Sequence, residues 1–141
     1  ESIRTPLIVR LPTAFPAGPS RQISDLTLNV DLMPTVLDFA GLLGKFKGDG
    51  RSMVPLLRGQ DTAWRRSFHY EYLVNHPEIP QCMGVRSRDW KYMVFPGDGY
   101  EALFDLRKDP HELDNLAAQG EVADRLIFMR KKLKSFRQGL S

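Results

Sequence analysis

The stretch His69-Tyr-Glu-Tyr-Leu-Val-Asn-His-Pro-Glu-Ile-Pro-Gln-Cys-Met-Gly-Val-Arg86 gathers the side chains of this protein best able to do chemistry. Two histidines, two acids and an arginine surround a polar, proline-bearing loop. Such a set can build a pocket for an anionic or sugar-like ligand. A solvated strand face and its loop would present the same residues, so the segment by itself leaves both readings open.

Other chemistries leave weaker marks. His69, His76 and His111 form no HxxxH or HxH pair, and no cluster of His, Cys and carboxylates has metal-ligand spacing. No glycine-rich loop joins a strand to a helix with phosphate-binding spacing. Ser52 lies in Gly50-Arg-Ser-Met-Val54, which lacks the second glycine of a nucleophile elbow, and it reads as a helix cap. Cys82 is the only cysteine, which excludes a disulfide scaffold.

Several elements must position these residues. Pro6-Leu-Ile-Val-Arg-Leu11, with Pro12 just beyond, reads as a short buried strand, because proline is tolerated at strand ends and not within the ladder. Coverage of both its faces would imply a parallel sheet in a larger α/β body. Residues 13–20 have loop composition. A helix is expected from Asp31, with Asp31 as N-cap, Pro34 in the first turn and Gly41 as the stop. Its apolar face is Met33, Val36, Leu37 and Ala40. Residues 52–59 form one short helical turn ended by Gly59.

After Trp64 the period changes to two. Phe68, Tyr70 and Tyr72 alternate with His69, Glu71 and Leu73, a strand pattern. Residues 83–87 and 90–95 flank Arg88-Asp89 as an antiparallel hairpin, Pro96-Gly-Asp-Gly99 is a turn, and residues 101–106 form a further strand. Asp109, Pro110 and Glu112 suggest a helix entry. Val122, Leu126, Met129, Leu133 and Phe136 step by 4, 3, 4 and 3 along a final helix over about 122–137.

With 141 residues, 42% hydrophobic and 26% charged, the chain has ordinary globular composition. No apolar run reaches the length of a membrane-spanning helix, and no leader pattern is visible. The chain opens with Glu1 rather than Met, so the missing leader carries little weight. The net charge of +3 is concentrated at one end. Residues 121–141 hold six basic and two acidic side chains, a net +4, which leaves −1 for residues 1–120. Such a helix could track phosphates or an anionic membrane. The simpler account is that late Lys and Arg complement the helix dipole and solvate the outer face; neither nucleic acid nor membrane is expected as a partner.

Five segments resemble, in order, the C-terminal region of the formylglycine-dependent sulfatases. They are Glu1-Ser-Ile-Arg-Thr-Pro-Leu-Ile-Val-Arg10, Asp31-Leu-Met-Pro-Thr-Val-Leu-Asp-Phe-Ala-Gly41, Gly50-Arg-Ser-Met-Val-Pro-Leu-Leu-Arg-Gly59, Gly84-Val-Arg-Ser-Arg-Asp-Trp-Lys-Tyr92 and Leu103-Phe-Asp-Leu-Arg-Lys-Asp-Pro-His-Glu-Leu-Asp-Asn-Leu-Ala117. The resemblance implies an alkaline-phosphatase-like α/β fold. Residues 1–62 would end its large domain, and residues 63–141 would form a small subdomain of antiparallel strands with a C-terminal helix.

For catalysis the resemblance is subtractive. In that family a Cys or Ser in C/S-x-P/A-x-R becomes formylglycine, its hydrate attacks sulfur, and calcium held by Asp, Asn or His stabilises the sulfate charge. All these residues would lie upstream of Glu1, so calcium and formylglycine belong to the parent protein. Cys82-Met-Gly-Val-Arg86 mimics the spacing, but Gly84 replaces the required Pro or Ala. The fragment is therefore expected to lack nucleophile and metal and to be inactive alone. Its implied contribution is substrate selection, with residues 75–83 as a lip of the cleft and His69, Glu71, His76 and Arg86 as candidate contacts to a sulfated small molecule or glycan. Arg86 could pair with a carboxylate or sulfate, and the histidines could hydrogen-bond hydroxyls. The resemblance implies a periplasmic, extracellular or lysosomal setting without deciding among them. A stand-alone binding module derived from a sulfatase is the alternative. Without the catalytic domain, the apolar surfaces of residues 6–11 and of the first helix are expected to drive self-association.

Overall fold

The structure is a computed structural model that describes Ile3, residues 5–11, Ser20 and residues 22–139. It divides into two compact units between Arg65 and Arg66, three residues beyond the boundary read from the sequence.

The N-terminal unit is built around a 3-10 turn, Asn29–Asp31, running into helix α1, Leu32–Phe39, followed by a 3-10 turn, Leu43–Lys45, and helix α2, Val54–Arg58. Gly41 (φ +71°) and Gly59 (φ +75°) end the two helices in the left-handed conformation, where a Cβ would be strained. Asp31 stands at the N-cap position of α1 without making a side-chain cap bond there, a departure from the expected role. Its carboxylate instead accepts from the backbone N–H of Leu28 and of Arg51, each at 2.8 Å, and from the guanidinium of Arg65. One fully buried anion thus ties together three stretches of the unit. Thr35 adds a parallel tie by donating to the Asp31 carbonyl at 2.5 Å and accepting from the Met53 N–H at 2.9 Å. Ser52 accepts from the Val54 N–H and donates to Asp38 at 2.5 Å, which fits a helix-start residue with no free hydroxyl for attack.

One expectation for this unit is corrected. Residues 6–11 form no strand, and Ile8 is 93% exposed, because a strand needs a ladder partner and none pairs with it among the described residues. The α1 stripe stands uncovered, as expected of a face that needs a body beyond these residues: Met33 and Val36 are exposed, whereas Pro34 and Thr35 are buried. Periodicity shows which face seeks burial, but the cover must come from other chain.

The C-terminal unit is a four-stranded antiparallel meander of β1 (Ser67–Tyr72), β2 (Cys82–Ser87), β3 (Trp90–Phe95) and β4 (Tyr100–Asp105), in the order β1-β2-β3-β4. Register aligns His69, Val85, Tyr92 and Leu103 in one row across the sheet. Helix α3, Ala123–Gln138, covers this face with Leu126, Met129 and Leu133, flanked by Val122 and Phe136, which is the expected stripe. Two basic residues of α3 also anchor it. Arg125 lies 5.1 Å from the Trp90 ring centroid, and Arg130 pairs with Glu101 of β4.

On the opposite face a second row contains Tyr70 and Gly84. A Cβ on Gly84 would lie 2.4 Å from the Tyr92 carbonyl oxygen and 2.5 Å from the Tyr70 hydroxyl oxygen. This close approach explains a glycine inside a strand.

The expected helix entry at Asp109 does not form. Residues 106–118 are turns, and Glu112 adopts φ +59°, which breaks any helical run. Its carboxylate reaches back to the buried Lys91 ammonium, with Arg86 Nη1 3.9 Å away. Asp105 and Asp109 accept the N–H groups of Arg107 and Asp114. Asn115 accepts from the Leu103 N–H and donates to the Glu101 carbonyl, both at 3.0 Å, while the Leu116 N–H donates to Leu103. The acids and the asparagine of this motif therefore fold a loop onto the edge of β4, protecting an otherwise open strand edge.

Candidate functional site

An up-and-down meander places alternate connections at the same end of the sheet. The β1–β2 connection (residues 73–81) therefore meets the β3–β4 turn (residues 96–99). Between them lies a cavity of about 240 Å³ lined by Asn75, His76, Ile79, Pro80, Gln81, Gly97 and Asp98. Gln81 closes the base of the longer loop by donating to the Leu73 carbonyl at 2.9 Å. The Glu78 N–H donates to His76 Nδ1 at 3.2 Å, so the neutral ring carries its proton on Nε2 and can donate from there. Gly99 turns the second loop at φ +61°. Amide, imidazole and carboxylate groups around a partly apolar floor can recognise hydroxyls through paired donors and acceptors.

The four candidate residues occupy three places. His76 lies at the cavity. His69 and Glu71 stand together on the helix-covered face, with Nε2 3.1 Å from Glu71 Oε1 and the imidazole stacked on Phe136 at 5.9 Å between centroids. Arg86 lies on the other face of the sheet, beside Glu112 and Lys91. Asp98 and Gly97 were not among the candidates, since about twenty residues separate them from His76. The signal that could have found them was the hairpin count, which brings these two connections to one end.

Electrostatics separates the structural groups from the reactive ones. Burial pushes the Cys82 thiol above its usual range, against a modest opposing pull from Lys91, so it is a poor thiolate nucleophile. Burial, with the Cys82 and Glu112 charges, also pushes the Tyr70 phenol up, despite Arg86. The Tyr92 phenol is raised to about 12 by burial and by its 2.8 Å hydrogen bond to Glu101. Arg130 holds Glu101 below the ordinary carboxylate range, helped by Tyr92 and opposed by burial. These groups are locked in packing roles. Among the described residues no group of three or more His, Cys, Asp or Glu converges to hold a metal ion.

The meander backed by one helix, following a small helical unit, is the C-terminal architecture of alkaline-phosphatase-like sulfatases. A solved complex of one protein with its substrate D-glucosamine-2-N,6-O-disulfate superposes with a TM-score of 0.69 at 28% identity, covering 78% of this chain and 24% of that one. The chain belongs to the family described as N-sulphoglucosamine sulphohydrolase, C-terminal, whose model matches residues 1–139. It is 35% identical over 130 residues to an N-acetylglucosamine-6-O-sulfatase of Bacteroides thetaiotaomicron, covering 87% of this chain and 23% of that protein. An arylsulfatase of Clostridium perfringens is 33% identical over 133 residues, covering 94% of this chain and 27% of the relative. The chain thus spans about a quarter of the length of these relatives.

Proposed function

We propose that this chain is the C-terminal part of a sulfatase that hydrolyses sulfate esters of a carbohydrate, and that it shapes the substrate cleft without supplying the nucleophile. The family match across residues 1–139 carries this reading. The formylglycine and calcium would sit in the remainder of the parent protein, where they supply the attacking hydrate and neutralise sulfate charge. Residues 1–141 alone are then inactive.

Within the cleft, His76 is the direct contact, joined by Asn75, Gln81 and Asp98. A carboxylate at the cavity, with no Lys or Arg in its lining, favours the hydroxyl-bearing side of a sugar over its sulfate. His69, Glu71 and Arg86 serve the same substrate indirectly, by fixing the strands from which the loop springs.

Two measurements test this. In the full-length parent, His76→Ala is expected to raise KM for a sulfated glucosamine about tenfold, the worth of one or two lost hydrogen bonds, and to leave aryl sulfate turnover unchanged. Equal effects on both substrates would remove His76 from the sugar-binding role. For the isolated chain, Ile8, Met33 and Val36 are exposed apolar groups, so light scattering is expected to show self-association. A compact monomer that does not bind ANS would contradict an uncovered interface.

A further inference from the structure

We infer that the outer face of α3 is a second, non-catalytic contact for a sulfated glycan chain, an inference that rests on the carbohydrate-sulfatase reading of the parent. Helix α3 turns Leu126, Met129 and Leu133 to the sheet. At about 100° per residue, Arg130, Lys131, Lys134 and Arg137 share an arc of roughly 120° that starts beside Leu126 at Arg137 and reaches the side opposite the stripe at Lys131. All four are exposed. Arg130 is committed to Glu101, while Lys131, Lys134 and Arg137 make no ion pair among the described residues.

The helix dipole accounts for only one of these charges. Arg137 lies in the last turn, whereas Lys131 and Lys134 precede it, where the dipole's influence has decayed. No carboxylate falls within the arc, and Asp124 only borders it. Lys131, Lys134 and Arg137 step about 4.5 Å apart along the axis, a cationic row complementary to a polymer with repeating anionic groups.

Other polyanionic partners fit less well. A membrane would need a broad apolar face beside the charges. Leu126, Met129 and Leu133 are spent against the sheet, and Ile127 and Phe128 are the large apolar side chains of the helix left exposed, too few for such a face. Single-stranded nucleic acid would want an aromatic platform among the charges. Phe128 instead lies outside the arc, beneath Arg125 and Lys132. A sulfated glycan needs only the charge row, and it is the polymer whose ester the proposed reaction cleaves.

The test uses the full-length parent and its Lys131→Gln/Lys134→Gln variant, with heparin as the probe. The wild-type protein is expected to bind heparin with a steep salt dependence. The variant's plot of log affinity against log salt should flatten by about two, one for each lost contact. Its KM should rise for a sulfated oligosaccharide and stay unchanged for a sulfated monosaccharide. An unchanged slope would overturn the α3 surface, as would competition by duplex DNA equal to that by heparin. Binding is read without turnover, so a parent that releases no sulfate overturns the proposed function separately.

Discussion

Replacing Asp31 with alanine is expected to unfold the N-terminal unit under conditions where the rest of the chain stays folded. The carboxylate is fully buried, and the Arg65 side chain opposite is 9% exposed. Removing one partner of a buried pair leaves the other charge uncompensated, which costs about 3–5 kcal/mol. Here the backbone N–H groups of Leu28 and Arg51 would be stranded as well. Asp31→Asn should fall between wild type and alanine, since it keeps one acceptor and loses the charge. The two tryptophans allow a clean readout, because Trp64 belongs to this unit and donates to the Leu26 carbonyl, while Trp90 belongs to the other. A denaturation midpoint of Trp64 fluorescence that is unchanged in Asp31→Ala would refute this role.

The same residue sets an acid limit. Burial alone would raise the Asp31 pKa, but the Arg65 hydrogen bonds and the Arg51 and Leu28 N–H groups outweigh it and hold the carboxyl below its ordinary 3.8. A depressed folded-state pKa contributes stability that is present above the unfolded value and lost as pH falls through the folded value. The N-terminal unit should therefore weaken below about pH 4, and Asp31→Asn should remove that acid-sensitive component.

Leu103→Ala should be the costliest single change in the C-terminal unit. Leu103 is fully buried at the centre of the cluster formed with Val85, Tyr92, Met129 and Leu133. Its backbone also receives the loop of residues 106–118 through Asn115 and Leu116. The truncation should cost about 2–5 kcal/mol, with the spread set by how far α3 can settle into the cavity. Leu103→Met, which conserves volume, should cost less than about 1.5 kcal/mol. A fall in the denaturation midpoint of Trp90 fluorescence, at constant slope, is the expected signature. Equal effects of alanine and methionine would argue against tight packing at this position.

The C-terminal unit was the more legible of the two because its pattern is closed within the chain. The alternation of residues 68–73, the Arg88-Asp89 hairpin and the 4-3-4-3 stripe of α3 all find partners inside residues 66–138. The N-terminal unit was legible in its punctuation, with Pro34, Gly41 and Gly59 where helices start and stop. It was misread at residues 6–11, which form no strand, whereas the uncovered Met33/Val36 stripe is what an apolar face without its covering body should show. Asp109-Pro-His-Glu112 shows a different failure. Local capping chemistry suggested a helix, but the long-range pull of Lys91 on Glu112, with the ladder of Asn115, favours a folded loop. The candidate site was half visible: one sequence window held His76 and the loop but could not show that Asp98 faces them across the cavity. Strand parity separated His69 and Glu71 from Arg86, a division that the run of polar residues hid.

The most direct measurement is sulfate release by the purified full-length parent, assayed with calcium on a 6-O-sulfated glucosamine beside residues 1–141 alone. The account predicts turnover by the parent and none by the shorter chain. Turnover by residues 1–141, or a folded parent that releases sulfate from no sulfated sugar, would contradict it.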